Sequence, residues 1–305
     1  MTDFIYPVRI LSLGEDMFFK EFTHLHYKKF NKIMANLNPD IFEIYVNNLI
    51  DELCYSDIDI STLNILDKFY ILLSIRAYCI APTITFQTTT GDDKKEKINI
   101  EIDVNKMLDT LYDVKLEYDF NIEYDNIQIT GNFPKRFHFD DVYDLAADSI
   151  CEVRFENKPI NYSELTKEQR QEVYSRLPSL VMPQILKHLQ KQDKILKQEP
   201  IIEINTKKEI NMSKRTCASM LDGSMSELIK VMFKTPLRDF YVNEYNLMKR
   251  FKFSSDAINQ STPAELGLYF NIIQQDLEKE KKEMEKQQGQ RGGVNMPGGG
   301  MGAPS

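Results

Sequence analysis

Across residues 63–80 apolar side chains recur at Leu66, Phe69, Tyr70, Leu73, Ala77 and Ile80, and other apolar residues fill most of the gaps. That spacing predicts a helix apolar around most of its girth, the kind that runs through the centre of a domain. Arg76 lies on it. An unpaired charge there is costly, so a carboxylate or carbonyl partner, or a route to solvent, is expected. Upstream, residues 5–11 and 17–20 are rich in β-branched and aromatic residues around Gly14 and predict two short strands, with Pro7 at an edge. Residues 23–79 then turn helical. Asn38-Pro39-Asp40 is a start signal, because Asn caps and Pro fits the first helical position. After it Ile41, Ile44, Tyr45, Leu49 and Leu53 follow helical spacing on one face.

The period switches to two over residues 82–102, which predicts a β-hairpin turning at Gly91-Asp92-Asp93. A short helix at 104–112, strands around 120–130, a helix at 140–149 and a strand at 152–156 follow. Thr166-Lys167-Glu168-Gln169 fits a capping box, Leu177-Pro178 breaks that helix, and a longer amphipathic helix runs to about Gln198. Glu199-Pro200 and the lysines at 207 and 208 mark a soft boundary. Beyond it helices are expected near 216–233, 237–252 and 262–287, the last opened by the capping box Thr262-Pro263-Ala264-Glu265. After Gln288 the chain is glycine-rich and is expected to be disordered.

The fold class is thus α+β. A mixed strand and helix body with β-hairpins surrounds a central apolar helix (residues 1–199), followed by an all-helical part (200–287) and a tail (288–305). The body has enough apolar residues to close its own core. The later helices carry more than a small bundle can bury, so their aromatic and methionine side chains are the candidate partner-binding residues: Met225, Ile229, Met232, Phe233, Phe240, Tyr241, Tyr245, Met248, Tyr269 and Phe270.

Composition narrows the function. A net charge of −8 disfavours binding to phosphate backbones. The basic stretch Lys207, Lys208, Lys214, Arg215 is read as a solvated linker, with a nucleic-acid-binding regulator as the lesser alternative. Cys54, Cys79, Cys151 and Cys217 are too far apart for a zinc knuckle and read as reduced thiols. The opening residues lack a signal-peptide pattern, and no run is long enough for a membrane span, so the cytoplasm is the expected location. No phosphate loop, nucleophile elbow or metalloprotease motif is present. His24 and His26 would point about 200° apart on a helix and are read as structural, as are His138 and His188. Asp92/Asp93 and Asp140/Asp141 are read as solvated or capping acids. No catalytic residue, cofactor or metal is therefore expected.

One ordered set of segments points further. It comprises Tyr6-Pro7-Val8-Arg9-Ile10-Leu11-Ser12-Leu13-Gly14, Phe18-Phe19-Lys20-Glu21-Phe22, Ile50-Asp51-Glu52-Leu53-Cys54, Asp57-Ile58-Asp59-Ile60, and the stretch from Leu63 to Arg76. Their order resembles the baseplate hub family of T4-like tailed bacteriophages over roughly residues 5–195. The resemblance implies a non-enzymatic tail protein, a subunit of the baseplate hub or a factor that assembles it. Its partners would be other tail or hub proteins, with no nucleic acid and no membrane. It would reside in the host cytoplasm during assembly or in the finished tail. A transient chaperone absent from the virion is the alternative within this class. The family carries no catalytic residues to transfer.

Overall fold

The structure, a computed structural model, describes residues 4–35, 38–56, 59–90, 96–156, 158–198, 202–203, 215–216 and 218–291. Strands β1 (Ile5–Ile10) and β2 (Glu15–Lys20) pair antiparallel through a turn in which Gly14 takes φ +66°, a left-handed conformation that glycine enters without a Cβ penalty. Tyr6, Val8, Ile10, Met17 and Phe19 face inward, while Pro7 pairs with Phe18 on the outer face. Helices α1 (His24–Met34), α2 (Pro39–Leu53) and α3 (Ile65–Cys79) follow. Asn38 accepts from the amides of Asp40 and Ile41, with Pro39 at the first helical position, as the sequence predicts.

The helix α3 is the centre of the molecule. Every residue of it is buried except Tyr70, Ala77 and Tyr78. Its polar residues tie it to its surroundings. Asp67 accepts from the backbone amide (2.9 Å) and hydroxyl (2.5 Å) of Ser12 in the first turn. Lys68 donates to Glu43 Oε1 on α2 (3.1 Å) and to the carbonyl of Lys135 (2.6 Å), and the other Glu43 oxygen receives the Phe137 amide (2.7 Å). A buried pair of this kind holds because its remaining hydrogen-bonding capacity is also met.

Next come the hairpin β3 (Thr83–Thr90) and β4 (Glu96–Asp103), then α4 (Val104–Asp113), which packs on α3. The expected turn at Gly91-Asp92-Asp93 lies outside the described residues. A four-stranded antiparallel sheet is built in the order β5 (Phe120–Tyr124), β6 (Ile127–Gly131), β7 (Ile150–Phe155), β8 (Lys158–Asn161), with α5 (Val142–Asp148) between β6 and β7. Gly131 is required there, because a Cβ would overlap the Phe120 ring and the Ser149 carbonyl. Asp141 caps α5, accepting from Tyr143 and Asp144 amides, which explains the paired acids. Helices α6 (Lys167–Arg176), opened by the predicted capping box at Thr166, and α7 (Val181–Gln198) cover this part; α7 lies against α5 and β5.

Residues 202–203 (β9) pair with 215–216 (β10). The helices α8 (Ser224–Phe233), α9 (Leu237–Phe251), α10 (Ser255–Gln260) and α11 (Pro263–Arg291) complete the described chain. The Thr262 and Glu265 capping box opens α11 as predicted, each residue accepting the other's amide (2.8 and 3.2 Å). The expected linker at 199–200, the lysines at 207, 208 and 214, and the tail beyond Arg291 lie outside the described residues.

Two expectations are corrected. The inner face of α2 is Phe42, Glu43, Val46, Leu49, Ile50 and Leu53, whereas Ile41 and Ile44 are exposed. Leu49 and Leu53 of the expected face are buried and Tyr45 is half-buried; at the start of α2, which is apolar on both sides, packing turned Phe42 and Val46 inward in place of Ile41 and Ile44. Residues 224–240 also do not form a core of their own. Met225, Ile229, Met232, Phe233 and Phe240 join the body's continuous apolar core, leaving a small separate cluster of Leu247, Ile258 and Leu266, with Phe253, Phe270 and Ile273 around it.

Candidate protein-interaction surface

The last four helices are attached by side chains drawn from the first part of the chain. Phe233, at the end of α8, meets the rings of Phe22, Tyr27 and Phe30, the last with centroids 4.9 Å apart. Arg76 donates from Nε to the Met232 carbonyl (3.0 Å) and from Nη1 to the Ala81 carbonyl (2.8 Å). The predicted carbonyl partner is thus found, and it lies on α8. Asn31 and Tyr27 on α1 bind the backbone amide and hydroxyl of Thr235, each at 2.7 Å.

The inner face of α9 is held in the same way. Phe240 packs on His24 and Tyr27. Glu244 receives Lys28 at 2.6 and 2.8 Å and lies 3.2 Å from His24 Nε2. Burial holds the His24 ring below its ordinary basicity, against the pull of Glu244. His26 closes the capping box of α1 and reaches Glu52, so the two histidines diverge as helical spacing requires. The described residues contain no group of His, Cys, Asp and Glu arranged to hold a metal ion. Cys54, Cys79 and Cys151 are free thiols; Cys217 lies outside the described residues. Burial raises the Cys79 thiol, which donates to Tyr6 (3.6 Å), so it behaves as a packing residue.

The ten candidate residues are divided by this attachment. Met225, Ile229, Met232, Phe233 and Phe240 are each no more than 3% exposed, so they cannot meet a partner while the body stays folded. Tyr241, Tyr245, Met248 and Tyr269 are 42–57% exposed, and Phe270 is half-buried in the small cluster. Tyr241, Tyr245 and Met248 follow one another at four and three residues and form one outward stripe on α9. Lys28 sits over the Tyr241 ring, 4.5 Å from its centroid, at the stripe's edge. The sequence reading missed the neighbours Val242, Phe251, Leu268 and Ile272, which are also exposed. The signal was the seven-residue step from Phe240 to Leu247, both buried, which marks the inner face and leaves the opposite one to solvent.

A groove of about 830 Å³ lies between α5 and α6, lined by Arg136, Asp144, Asp148, Tyr162 and Tyr174 among others. Its Arg136 is already engaged by Asp144 (2.6 Å) and Asp148 (3.0 Å). No helix among the described residues is long and apolar enough to cross a membrane.

The architecture is a β-hairpin feeding helices around a buried central helix, with the last four helices fastened to it. Residues 1–222 match the family model described as T4 bacteriophage base plate protein, so the chain belongs to that family of phage baseplate proteins, a class of structural tail protein. The match runs past residue 195, where the sequence resemblance ended, and stops just before α8. No curated protein and no solved structure matches the chain.

Proposed function

We propose that this protein acts without catalysis, as a subunit of the baseplate hub or a factor that assembles it, and that it binds other tail proteins through the outer faces of α9 and the first half of α11. The observation that carries the reading is the concentration of exposed large apolar side chains there: Tyr241, Val242, Tyr245 and Met248 on α9, and Leu268, Tyr269 and Ile272 on α11. Scattered apolar residues are normal on a surface, but a stripe of them on one helix, with more on the helix that shares its small buried cluster, is how an unfilled interface looks. The family membership supplies the class of partner.

Deleting everything after residue 199 is a poor test, because it would open the core that Phe233 and Phe240 close. The double variant Tyr245→Ser, Met248→Ser leaves that core intact. Its melting is expected to stay within about 0.5 kcal/mol of wild type, while co-purification with co-expressed baseplate proteins of the same phage drops at least about tenfold, or about 1.4 kcal/mol of binding. Undiminished co-purification would move the interface elsewhere. Mass spectrometry of purified tails separates a permanent subunit from a transient assembly factor, which would be missing from finished particles.

A further inference from the structure

The helix α11 is 29 residues long, yet among its described side chains only those of the first part pack on the rest of the protein. Leu266, Phe270 and Ile273 close the small cluster with Leu247, Ile258 and Phe253. Every residue from Gln274 to Glu285 is exposed. The stripe that packs does not stop at Ile273. Its steps of four and three residues continue through Leu277, Glu280 and Met284, so positions 266, 270, 273, 277, 280 and 284 form one unbroken heptad seam. The first half of the seam is covered by the protein itself and the second half is bare: Leu277 is 40% and Met284 60% exposed.

The charges say what covers it. Glu280 occupies a seam position between the two apolar ones. Asp276 and Glu283 flank the seam on one side and Lys281 on the other. A second copy running parallel would set Glu280 against Glu280. A second copy running antiparallel would bring the Asp276 and Glu283 flank against its own kind and Lys281 against Lys281. The antiparallel arrangement places like charges together along both flanks. The parallel one buries two carboxylates against each other in the seam, a cost that the exposed Asp276–Lys281 pairs it forms at the rim do not recover, so self-pairing is selected against. A helix of another protein meets no such conflict if it carries Lys or Arg opposite Glu280, basic residues along the Asp276 and Glu283 flank and an acidic residue beside Lys281.

From this we infer that the free half of α11 is a docking rail for one helix of a partner protein, apolar at heptad spacing and basic where it faces Glu280. The inference rests on the reading that the C-terminal helices engage partners, and it names the partner's chemistry. The docked helix continues the seam that Leu247 and Phe253 begin, so the two halves of α11 are closed by different molecules.

The test uses the full chain and two synthetic helical peptides of about four heptads, identical except for Lys or Glu at the position facing Glu280. Titrated by fluorescence anisotropy, the Lys peptide is expected to bind at least about tenfold tighter than the Glu peptide. In Glu280→Lys the preference should reverse, and Leu277→Glu should abolish binding of both. Equal affinity for the two peptides, no binding of either, or an unchanged preference in Glu280→Lys would overturn the inference. So would a wild-type dimer in sedimentation equilibrium that Leu277→Glu dissociates. The two readings fail separately. Loss of tail-protein co-purification in the Tyr245 and Met248 variant, with no reversal in Glu280→Lys, would remove the rail and keep the surface. Reversal with undiminished co-purification would do the opposite.

Discussion

The helices α3 and α11 are helical for opposite reasons. The first contains Ile71, Ile75, Phe69 and Tyr70, residues that lose side-chain freedom in a helix and gain nothing from it in water. Burial on nearly every side makes that helix stable. In α11 residues 274–288 are Gln, Asp, Leu, Glu, Lys and Met, mostly strong helix formers, with a local ion pair between Lys279 and Asp276 (3.2 Å). It needs little packing to hold its shape, and Leu266 is its one fully buried residue among those described. A helix maintained by packing has no surface left to offer, whereas one maintained by propensity keeps its side chains available.

The sharpest way to break this comparison is to remove packing from each helix in turn. Phe69→Ala should cost about 3–5 kcal/mol, because the ring is wholly buried and its neighbours can only partly collapse. Urea unfolding measures it, and a midpoint unchanged from wild type would mean that α3 is not the keystone. Arg76→Met should cost about 2–3 kcal/mol, since it leaves the carbonyls of Met232 and Ala81 without their charged donor. If instead the variant melts like wild type, the bond from α3 to α8 contributes shape and no stability.

The next effect is smaller and depends on pH. Burial depresses His24 below its ordinary value of 6.5, so the unfolded chain takes up the proton first as the solution is acidified. The folded state keeps its full stability above about pH 6.5 and loses it below. His188, also lowered by burial, acts in the same direction. Melting temperature should therefore fall between about pH 7 and about pH 5, and fall less steeply in His24→Gln. A slope unaltered by that substitution would place the sensitivity elsewhere. The smallest effect belongs to α11: ending the chain after Ile273 should change stability by less than about 0.5 kcal/mol. A larger loss, read by thermal melting, would show that the exposed half packs on something within the chain.

Much of the body was legible before the structure. The cap at Asn38, the box at Thr262, the hairpin at Gly14 and the girth of α3 are local signals, and local signals survive folding. The face of α2 was not legible, because Ile41 and Ile44 compete with Phe42 and Val46, and only the positions of α1 and α3 decide between them. Nor was the strand β8, whose Pro159 argues against a central strand and fits the edge position it takes. The candidate surface was half legible. Both faces of α9 carry aromatic residues, and nothing local says that Phe240 will meet Tyr27, more than two hundred positions earlier in the chain.

That long reach has a consequence for how the protein comes into being. Phe30 and Tyr27 wait for Phe233, and Arg76 waits for the carbonyl of Met232. During synthesis at about 5–20 residues per second, the roughly 150–200 residues that separate these partners take on the order of 10–40 s to make. For that interval the nascent chain carries an open aromatic patch beside a guanidinium that lacks its Met232 acceptor. The body is therefore finished from its far end, and any ribosome that stalls before α8 releases a chain primed to aggregate.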